Sequence, residues 1–362
     1  MKQTVRLGLL RLVDSAPVMV AQARGLFAAN GLDAAISIEP SWSNVADKLT
    51  YGLLDAAVML PPLALAAAAG LRGSRARLVV PLSLSQGGNT ITVNHAAAAA
   101  LTRDAEAPGR GLLEWLQTLP AKPRFAVVHR LSTHNLLLRY WLAAGGVDPD
   151  NDIETLVIPP ENVVDALAEG AIIGFCAGAP WGSVAEERGV GQVLLGTSSI
   201  WPFHPEKCLC VSEAWADASP DRLHALLRAV LRAQVICDRP EEAPAIAELL
   251  ADPGGLNLPQ AASRAALPGG TAREQIRFHE REAWFPARAH ATWFLGQMRR
   301  WGWLPPEEDL AALTAQVYRP DLLAPAVAAE RLYPIASLPE LESTAMLPQL
   351  HEPVFNNGLR RG

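Results

Sequence analysis

Basic charge is in short supply in this sequence. Its 362 residues contain 31 lysines and arginines against 37 aspartates and glutamates, and the formal net charge is −6 at pH 7. A surface that binds nucleic acid needs clustered cationic side chains, because the phosphates must be neutralised. The acidic balance therefore argues against direct binding of nucleic acid.

Cysteine is also rare. The four cysteines stand at positions 176, 208, 210 and 237, each among apolar residues. Cys208 and Cys210 form a C-x-C pair, which is not a zinc site without further ligands nearby. We predict four small buried hydrophobic side chains, no metal and no cofactor.

Long hydrophobic runs are missing as well. The first residues, MKQTVRLGLLRLVDSAP, contain neither a long apolar core nor a small-residue cleavage site, so they do not resemble a secretory signal. The alanine-rich PPLALAAAAGL is too short to span a membrane. We expect a cytoplasmic protein without membrane contact, unless the natural chain begins further upstream.

What the sequence does contain is a regular alternation of strand and helix patterns. Half of the residues are hydrophobic and 19% are charged, as in a globular chain long enough for two lobes. The strand-like runs VRLGLLRL, LDAAISIEP and LDAAVML alternate with helix-like runs, the first of which begins with an expected cap at Asp14-Ser15. This order predicts a parallel sheet covered by helices.

The middle of the chain repeats the scheme. RFAVV, IETLVIPP, AIIGFCAG and GQVLLG read as strands, and the runs between them read as helices. After Gly196 an irregular return leads to one more strand, and the rest is mostly helical to about Leu332, followed by a proline-studded segment. Two α/β lobes with a helical C-terminal part predict a ligand cleft between the lobes.

The stretch RLSTHNLLLRYW (130–141) carries polar residues where a strand gives way to a helix. Free backbone N–H groups and the helix dipole favour an anion at such a position. We expect Thr133 to cap the helix and His134 to donate a hydrogen bond. A surface cap without any ligand is the alternative.

Several phrases resemble a known family. They are PVMVAQARGLFAANGLD, RYWLAAGGVDPDNDIETLVIPPENVV, GFCAGAPW, HPEKCL and FPARAHATWFLGQMRRWGWL, which follow one another from about Leu7 to Leu304. They are similar to the nitrate- and bicarbonate-binding branch of the type II periplasmic-binding-protein fold. The resemblance implies two α/β lobes, with lobe I formed by residues 1–93 plus 203–362 and lobe II by residues 94–202.

The resemblance also implies a function. Most members of this branch are exported and feed a membrane importer, whereas this sequence shows no export signal. In that respect it looks like the cytoplasmic nitrate/nitrite sensors of the NasS type. Such sensors hold an RNA-binding, ANTAR-type antiterminator of the NasT kind inactive until the ligand arrives. The expected ligand is thus a small inorganic anion, nitrate or nitrite, and the expected partner is a protein.

Three residues of the expected site carry donors. In the family, the histidine of the Thr133-His134 element and the lysine of HPEK, here Lys207, contact nitrate. The family also places a tryptophan-type residue at Trp42, where a flat ring can lie against a planar anion. The alternatives are a solvated lysine on a return loop and a tryptophan that only packs between helix and strand.

Two further positions complete the expected site. Asn89 stands where the family often has glutamine, so its amide donor is one methylene shorter. Gly178 would let a backbone N–H approach the ligand, although a turn can also require glycine. Ala179 replaces a glutamate that many relatives carry.

Two other functions compete with a sensor. The chain can be the substrate-binding component of a nitrate or bicarbonate importer. It can also be an enzyme, since some proteins of this fold synthesise cofactors. We expect no enzyme, because no nucleophile stands beside a base in a recognisable arrangement and no phosphate loop is present.

Overall fold

A computed structural model of the chain describes residues 3–101, 111–330, 347–348, 355–356 and 359–360. Most of the proline-studded segment that follows Leu332 therefore lies outside the described residues. No helix in the described part is long and apolar enough to cross a membrane.

Strands and helices alternate through the first two hundred residues, as predicted. The strands are β1 (Gln3–Leu9), β2 (Leu32–Ile38), β3 (Ala56–Met59), β4 (Leu78–Ser83), β5 (Gln86–Gly87), β6 (Asn89–Val93), β7 (Arg124–Val127), β8 (Glu154–Val157), β9 (Gly174–Gly178), β10 (Gln192–Gly196), β11 (Cys208–Ser212), β12 (Ile276–Arg277), β13 (Phe355–Asn356) and β14 (Leu359–Arg360).

In the described part of the chain, the helices after β11 follow one another with only the short strand β12 between them. The helices are α1 (Ala16–Ala23), α2 (Leu26–Ala29), α3 (Trp42–Thr50), α4 (Pro61–Ala68), α5 (His95–Leu101), α6 (Gly111–Gln117), α7 (Thr133–Ala144), α8 (Val163–Ala168), α9 (Trp181–Glu187), α10 (Glu213–Ala218), α11 (Pro220–Cys237), α12 (Ala243–Ala251), α13 (Gln260–Ala266), α14 (Arg288–Arg300), α15 (Leu310–Val317) and α16 (Ala324–Glu330).

Ten of the described strands form two five-stranded sheets, and the other four form the two-stranded pairs β12-β5 and β13-β14. The first has the order β2-β1-β3-β11-β4 and the second the order β10-β6-β9-β7-β8. β1 runs parallel to β2 and β3, and β7 runs parallel to β8 and β9. β11 is antiparallel to β3 and β4, and β6 is antiparallel to β9 and β10.

The predicted parallel pairing therefore holds for β1 with β2 and β3 and for β7 with β8 and β9, but not for the pairs that β6 and β11 form. β6 and β11 are the first strands after the chain passes from one sheet to the other. They enter their sheet from the opposite end, without the helical crossover that a parallel pair requires. Sequence periodicity gives no information about that direction.

Within the described residues the chain passes twice between the sheets, through residues 84–88 and 197–207. After the second passage, β11 returns to the first sheet and pairs with β3 and β4. The predicted boundary at residue 93 differs from the strand pairing, because Asn89–Val93 pairs within the second sheet. By strand pairing the first passage lies before Asn89.

The later helices pack on the first sheet's side of the molecule. α11 contacts α1 and α16, and α14 and α15 contact α4. The apolar stripe of α11 is buried, including Leu223, Leu227 and Val230. This packing attaches the helical C-terminal part to the lobe that is built on β1 to β4.

Candidate functional site

Loops and strand ends from both sheets meet at one buried group of polar residues. Asp14 follows β1, Trp42 follows β2, and Gly178 is the last residue of β9. The carboxyl ends of parallel strands are where open α/β sheets present their ligand-binding residues. The contacts described below bring these positions together from the two sheets.

Lys207 lies at the centre of this group, directly before β11. Its Nζ donates to Oε2 of Glu206 and lies 3.3 Å from Oδ2 of Asp14. Nζ also lies 5.7 Å from the centroid of the Trp42 ring. All three charged side chains are buried. We refer to Asp14, Glu206 and Lys207 as the charged cluster.

Burial and neighbouring charge act in opposite directions on the charged cluster. Burial disfavours the charge of Lys207, but the carboxylates of Asp14 and Glu206 outweigh it and raise the pKa of Lys207. Burial also disfavours ionisation of Glu206, yet the attraction of Lys207 holds the pKa of Glu206 well below its usual range. For Asp14 burial prevails over Lys207 and raises the pKa.

The second sheet contributes Asn89 and Gly178, which face each other in the pairing of β6 with β9. Asn89 Nδ2 donates to Oε1 of Glu206 at 2.5 Å. A Cβ atom on Gly178 would lie 3.4 Å from Oδ1 of Asn89, 3.4 Å from Oδ2 of Asp14 and 3.8 Å from Nζ of Lys207. Gly178 thus forms a wall of the charged cluster, and its lack of a side chain keeps that wall open.

His134 enters the site from the first turn of α7. Its Nδ1 lies 3.6 Å from Oε1 of Glu206, and its side chain is fully buried. Neither ring nitrogen of His134 has a hydrogen-bond partner among the residues that the structure describes, nor does Oγ1 of the adjacent, buried Thr133. A buried polar atom without a partner costs about 1–3 kcal/mol, so these atoms mark a place where a partner is expected.

The predicted cap of α7 is wrong by one residue. Ser132, not Thr133, is the N-cap, and its Oγ accepts a hydrogen bond from the backbone N–H of Asn135 at 3.1 Å. Ser132 has the extended backbone of a cap residue, whereas Thr133 already belongs to the helix. The hydroxyl of Thr133 is consequently not used by the helix end.

Trp42 is the first residue of α3, whose N-cap Ser41 accepts from the backbone N–H of Asn44. The side chain of Trp42 is buried, and its Nε1 has no hydrogen-bond partner within the described part of the chain. The ring faces the ammonium group of Lys207 at a distance typical of a cation–π contact. Trp42 therefore offers both a flat apolar face and one donor.

The structure brings five of the six predicted residues into one connected set around the charged cluster. Trp42, Asn89, His134, Gly178 and Lys207 are linked by the distances given above. Thr133 belongs to the site only through its place beside His134 at the start of α7.

Sequence reasoning missed the two carboxylates. Glu206 stands in the HPEK phrase, from which the sequence predicts a ligand contact only for Lys207. Asp14 was expected to help begin α1, whereas its carboxylate accepts from Ser85 Oγ at 2.6 Å and approaches Lys207. Charged residues in loops are usually solvated, so nothing in the sequence signalled their burial.

Two neighbouring histidines are neutral at pH 7. His204 is fully buried, with Nε2 2.7 Å from Thr197 Oγ1, and burial lowers its pKa to about 4. Burial also lowers the pKa of His129 to about 4, with a further contribution from Arg72. Neither histidine adds positive charge to the site at neutral pH.

The cysteines are buried, as predicted. All four are free thiols, and Cys176 and Cys208 lie close enough to Glu206 and Lys207 to be affected by their charges. Burial raises the pKa of both thiols well above the usual value. In the described ranges no group of three or more histidine, cysteine or acidic residues is arranged to hold a metal ion.

Two sheets of this topology with a buried polar site between them define a binding protein of the type II periplasmic-binding-protein fold, as predicted. The chain belongs to the NMT1-like family, whose model matches residues 1–251. The predicted resemblance to the nitrate-binding proteins of this fold is confirmed by the relatives described next.

Two curated relatives and one solved structure carry this result. The nitrate/nitrite binding protein NrtA of Synechococcus elongatus is 32% identical over 337 residues, covering 88% of this chain and 76% of that protein. The nitrate import ATP-binding protein NrtC of the same organism is 34% identical over 339 residues, covering 91% of this chain. This chain spans only 50% of the length of NrtC.

The solved structure extends the similarity to the whole fold. The periplasmic nitrate-binding protein NrtA from Synechocystis PCC 6803 superimposes with a TM-score of 0.86 at 29% sequence identity. The superposition covers 93% of this chain and 91% of that chain. The likeness therefore includes both sheets and most of the C-terminal helices.

Proposed function

We propose that this protein binds nitrate or nitrite between its two lobes and works as a cytoplasmic sensor. The observation that carries the proposal is the set of buried donors beside Lys207. Trp42 Nε1, Thr133 Oγ1 and the ring nitrogens of His134 have no hydrogen-bond partner among the described residues. A small ligand that only accepts hydrogen bonds would satisfy them.

The chemistry of these groups favours a planar oxyanion. Indole N–H, hydroxyl and imidazole N–H all donate, and the Trp42 ring provides a flat surface. A dry site binds an anion only if hydrogen bonds and charge replace its hydration. Lys207 supplies charge, and the similarity to NrtA supports nitrate or nitrite as the anion.

Binding would draw the lobes together. Trp42 and Lys207 belong to the side of the first sheet, and Asn89, His134 and Gly178 belong to the second. A ligand held by both groups completes its contacts only in the closed form and shifts the population toward that form. We propose that this closure changes the grip of the protein on an ANTAR-type antiterminator partner.

A substrate-binding component of a nitrate or bicarbonate importer is the second candidate. It is supported by relatives that are named for nitrate import and for a periplasmic nitrate-binding protein. The sensor proposal rests on the resemblance of the chain to sensors of the NasS type. Both candidates describe binding rather than catalysis.

Calorimetry tests the anion site. Nitrate, nitrite, bicarbonate and chloride are titrated into the dialysed protein and into the variants Trp42→Phe and His134→Gln. We expect saturable heat with nitrate or nitrite and weaker binding in both variants. Trp42→Phe loses the indole donor, and His134→Gln replaces the imidazole ring by an amide that cannot be protonated. Trp141→Phe is the matched control, since Trp141 is as buried as Trp42, each with 2% of its surface exposed.

The result that contradicts the anion site is equally clear. An absence of heat with all four anions, or equal nitrate affinity in Trp42→Phe, His134→Gln and the control, would refute it. Saturation by bicarbonate alone would favour an importer of the bicarbonate kind.

A second experiment separates sensor from importer component. The protein is mixed with an ANTAR-type antiterminator, and complex formation is followed by size-exclusion chromatography with and without nitrate. A sensor should form a complex whose stability depends on nitrate. No complex in either condition, with intact anion binding, would favour the importer component.

A further inference from the structure

The charged cluster is poorly matched to an anion that arrives alone. Its two carboxylates, Asp14 and Glu206, face one ammonium group, Lys207. Burial raises the pKa of Asp14, but Ser85 Oγ at 2.6 Å and Lys207 Nζ at 3.3 Å face its two carboxylate oxygens and favour the ionised form. With the acids ionised and the lysine protonated, this buried group carries one net negative charge.

Other titratable and charged groups around His134 do not offset this net negative charge. His204 and His129 face it, and burial lowers the pKa of each to about 4. Arg72, which lies beside His129, forms an ion pair with Asp47 at 2.6 Å. The thiol of Cys176, near Glu206 and Lys207, is also neutral because burial raises its pKa.

A monovalent anion would raise the buried negative charge to two. Uncompensated charge in a dry site is strongly disfavoured, so a positive charge must enter with the anion. His134 is the group placed to carry it. Nδ1 lies 3.6 Å from the Glu206 carboxylate, and Nε2 has no hydrogen-bond partner in the described ranges.

We propose that the site takes up the anion together with one proton, and that His134 carries this proton. A neutral imidazole has one donor, whereas the protonated ring has two. One donor of the protonated ring serves Glu206 and the other serves the anion. The inference rests on the proposed function, and it defines the ligand as an anion plus a proton.

The sign of the pH dependence follows from this coupling. Because the complex holds one proton more than the free protein, the affinity for the anion rises as the pH falls. It weakens by up to about tenfold for each unit of rising pH while a full proton is taken up. Nitrate itself stays ionised throughout, so the dependence belongs to the protein.

Proton uptake is measured by titrating nitrate at pH 7.5 in phosphate and in Tris, whose ionisation enthalpies differ widely. We expect different apparent enthalpies in the two buffers, with an uptake approaching about one proton for each nitrate bound. The dissociation constant should increase steadily from pH 7 to pH 8.5.

Three variants locate the proton. Glu206→Gln removes one negative charge, so nitrate should bind with little uptake and little pH dependence. His134→Gln keeps an amide donor but cannot be protonated, and it should lose the uptake and most of the affinity. His204→Gln is the matched control, because His204 is also fully buried, and it should behave like the wild type.

NMR of protein with ¹⁵N-labelled histidine gives an independent readout. At pH 8, nitrate should convert one histidine, assigned by its loss in His134→Gln, from the neutral to the protonated signature. This assignment requires only the free form of the variant, so weak binding does not obscure it.

The outcomes are distinguishable. If no anion binds at any pH, the proposed function fails. If nitrate binds with equal enthalpy in both buffers and with constant affinity, the proposed function stands and the proton coupling is overturned. Uptake that persists in His134→Gln, or an unchanged His134 signal, would place the proton elsewhere and also overturn the inference.

Discussion

At the scale of single residues, Lys207 differs most from its prediction. The sequence predicts that Lys207 offers a free positive charge to an anion. In the structure it is already paired with two buried carboxylates, Glu206 and Asp14. Its first role is thus to make the burial of these acids possible, and any contact with a ligand is added to that.

Replacing Lys207 tests this role. Lys207→Met should lower the free energy of unfolding at pH 7 by about 3–5 kcal/mol, because it leaves two buried carboxylates without a counterion. Denaturant unfolding monitored by tryptophan fluorescence measures the loss. Arg24→Met, which breaks the partly exposed pair with Glu242, should cost no more than about 1 kcal/mol.

A triple variant separates the loss of charge balance from the loss of packing by the lysine side chain. If lost charge balance is the cause, Lys207→Met combined with Asp14→Asn and Glu206→Gln should recover much of the stability. Equal instability of the single and the triple variant would show that packing of the lysine chain, not charge, is responsible.

Gly178 offers a test of the wall of the site. In Gly178→Ala the new Cβ would make ordinary contacts of 3.4–3.8 Å with Asn89, Asp14 and Lys207. We expect a stability close to wild type and a nitrate affinity reduced by about tenfold, because the methyl group narrows the site. Gly296→Ala, where a Cβ meets nothing within 4 Å, should leave nitrate affinity unchanged.

The test with Gly178→Ala requires both the stability and the nitrate affinity of the variant. Thermal unfolding shows whether the variant is folded, and calorimetry gives the nitrate affinity. Unaltered affinity in a folded variant would mean that the ligand does not approach the end of β9.

At the scale of elements, α7 connects helix formation with binding. The sequence RLSTHNLLLRYW offered two adjacent hydroxyls for one cap, and the structure assigns them different tasks. Ser132 Oγ accepts from a backbone N–H, while Thr133 Oγ1 is buried without a partner among the described residues.

Removal of the two hydroxyl groups should therefore have different effects on stability and on nitrate binding. Ser132→Ala should cost about 1 kcal/mol of stability, because the helix loses its cap. Thr133→Val should leave stability equal or slightly higher, since an unpartnered polar atom is replaced by a methyl, and it should weaken nitrate binding. Paired unfolding and calorimetric measurements decide, and a reversed pattern would restore Thr133 as the cap.

Element positions were largely predictable, and the exceptions have local or tertiary causes. The first helix-like run of the sequence is divided into α1 and α2, because Gly25 between them adopts a left-handed conformation with φ of 68°. The antiparallel direction of β6 and β11 was not predictable, because it depends on how the chain passes between sheets rather than on side-chain periodicity.

At the scale of the whole molecule, Glu274 links the two passages of the chain between the sheets. It accepts from the backbone N–H of Gly88 at 3.3 Å in one passage and from Ser198 Oγ in the other. The Glu274 carboxylate lies so close to Gly196 that a Cβ atom there would clash with it. Burial raises the pKa of Glu274 to about 6.

The raised pKa of Glu274 determines the direction in which the stability of the fold changes with pH. The pKa of Glu274 is about 6 in the folded protein, whereas its ordinary value is 4.5. Its contribution to stability is therefore complete below pH 4.5 and is lost as the pH rises through about 6. Glu274→Gln abolishes this loss. Relative to wild type, the variant should gain about 2 kcal/mol between pH 4.5 and pH 7.

Denaturant unfolding of both proteins at the two pH values checks this prediction. Glu241→Gln, at an exposed glutamate, serves as the control and should follow the wild type at both pH values. A constant difference between Glu274→Gln and wild type would mean that Glu274 does not titrate in this range.

The sequence by itself determined the order of strands and helices, the buried cysteines and the family with its expected anion site. These features depend on local periodicity and on short phrases such as HPEK. Only the tertiary structure decided that Glu206 and Asp14 enclose Lys207, that Ser132 and not Thr133 caps α7, and that β6 joins the second sheet. The physical reason is that burial and charge balance depend on residues far apart in the chain. Asp14, Asn89 and Glu206 come from three distant segments, and their contacts exist only once both sheets have formed.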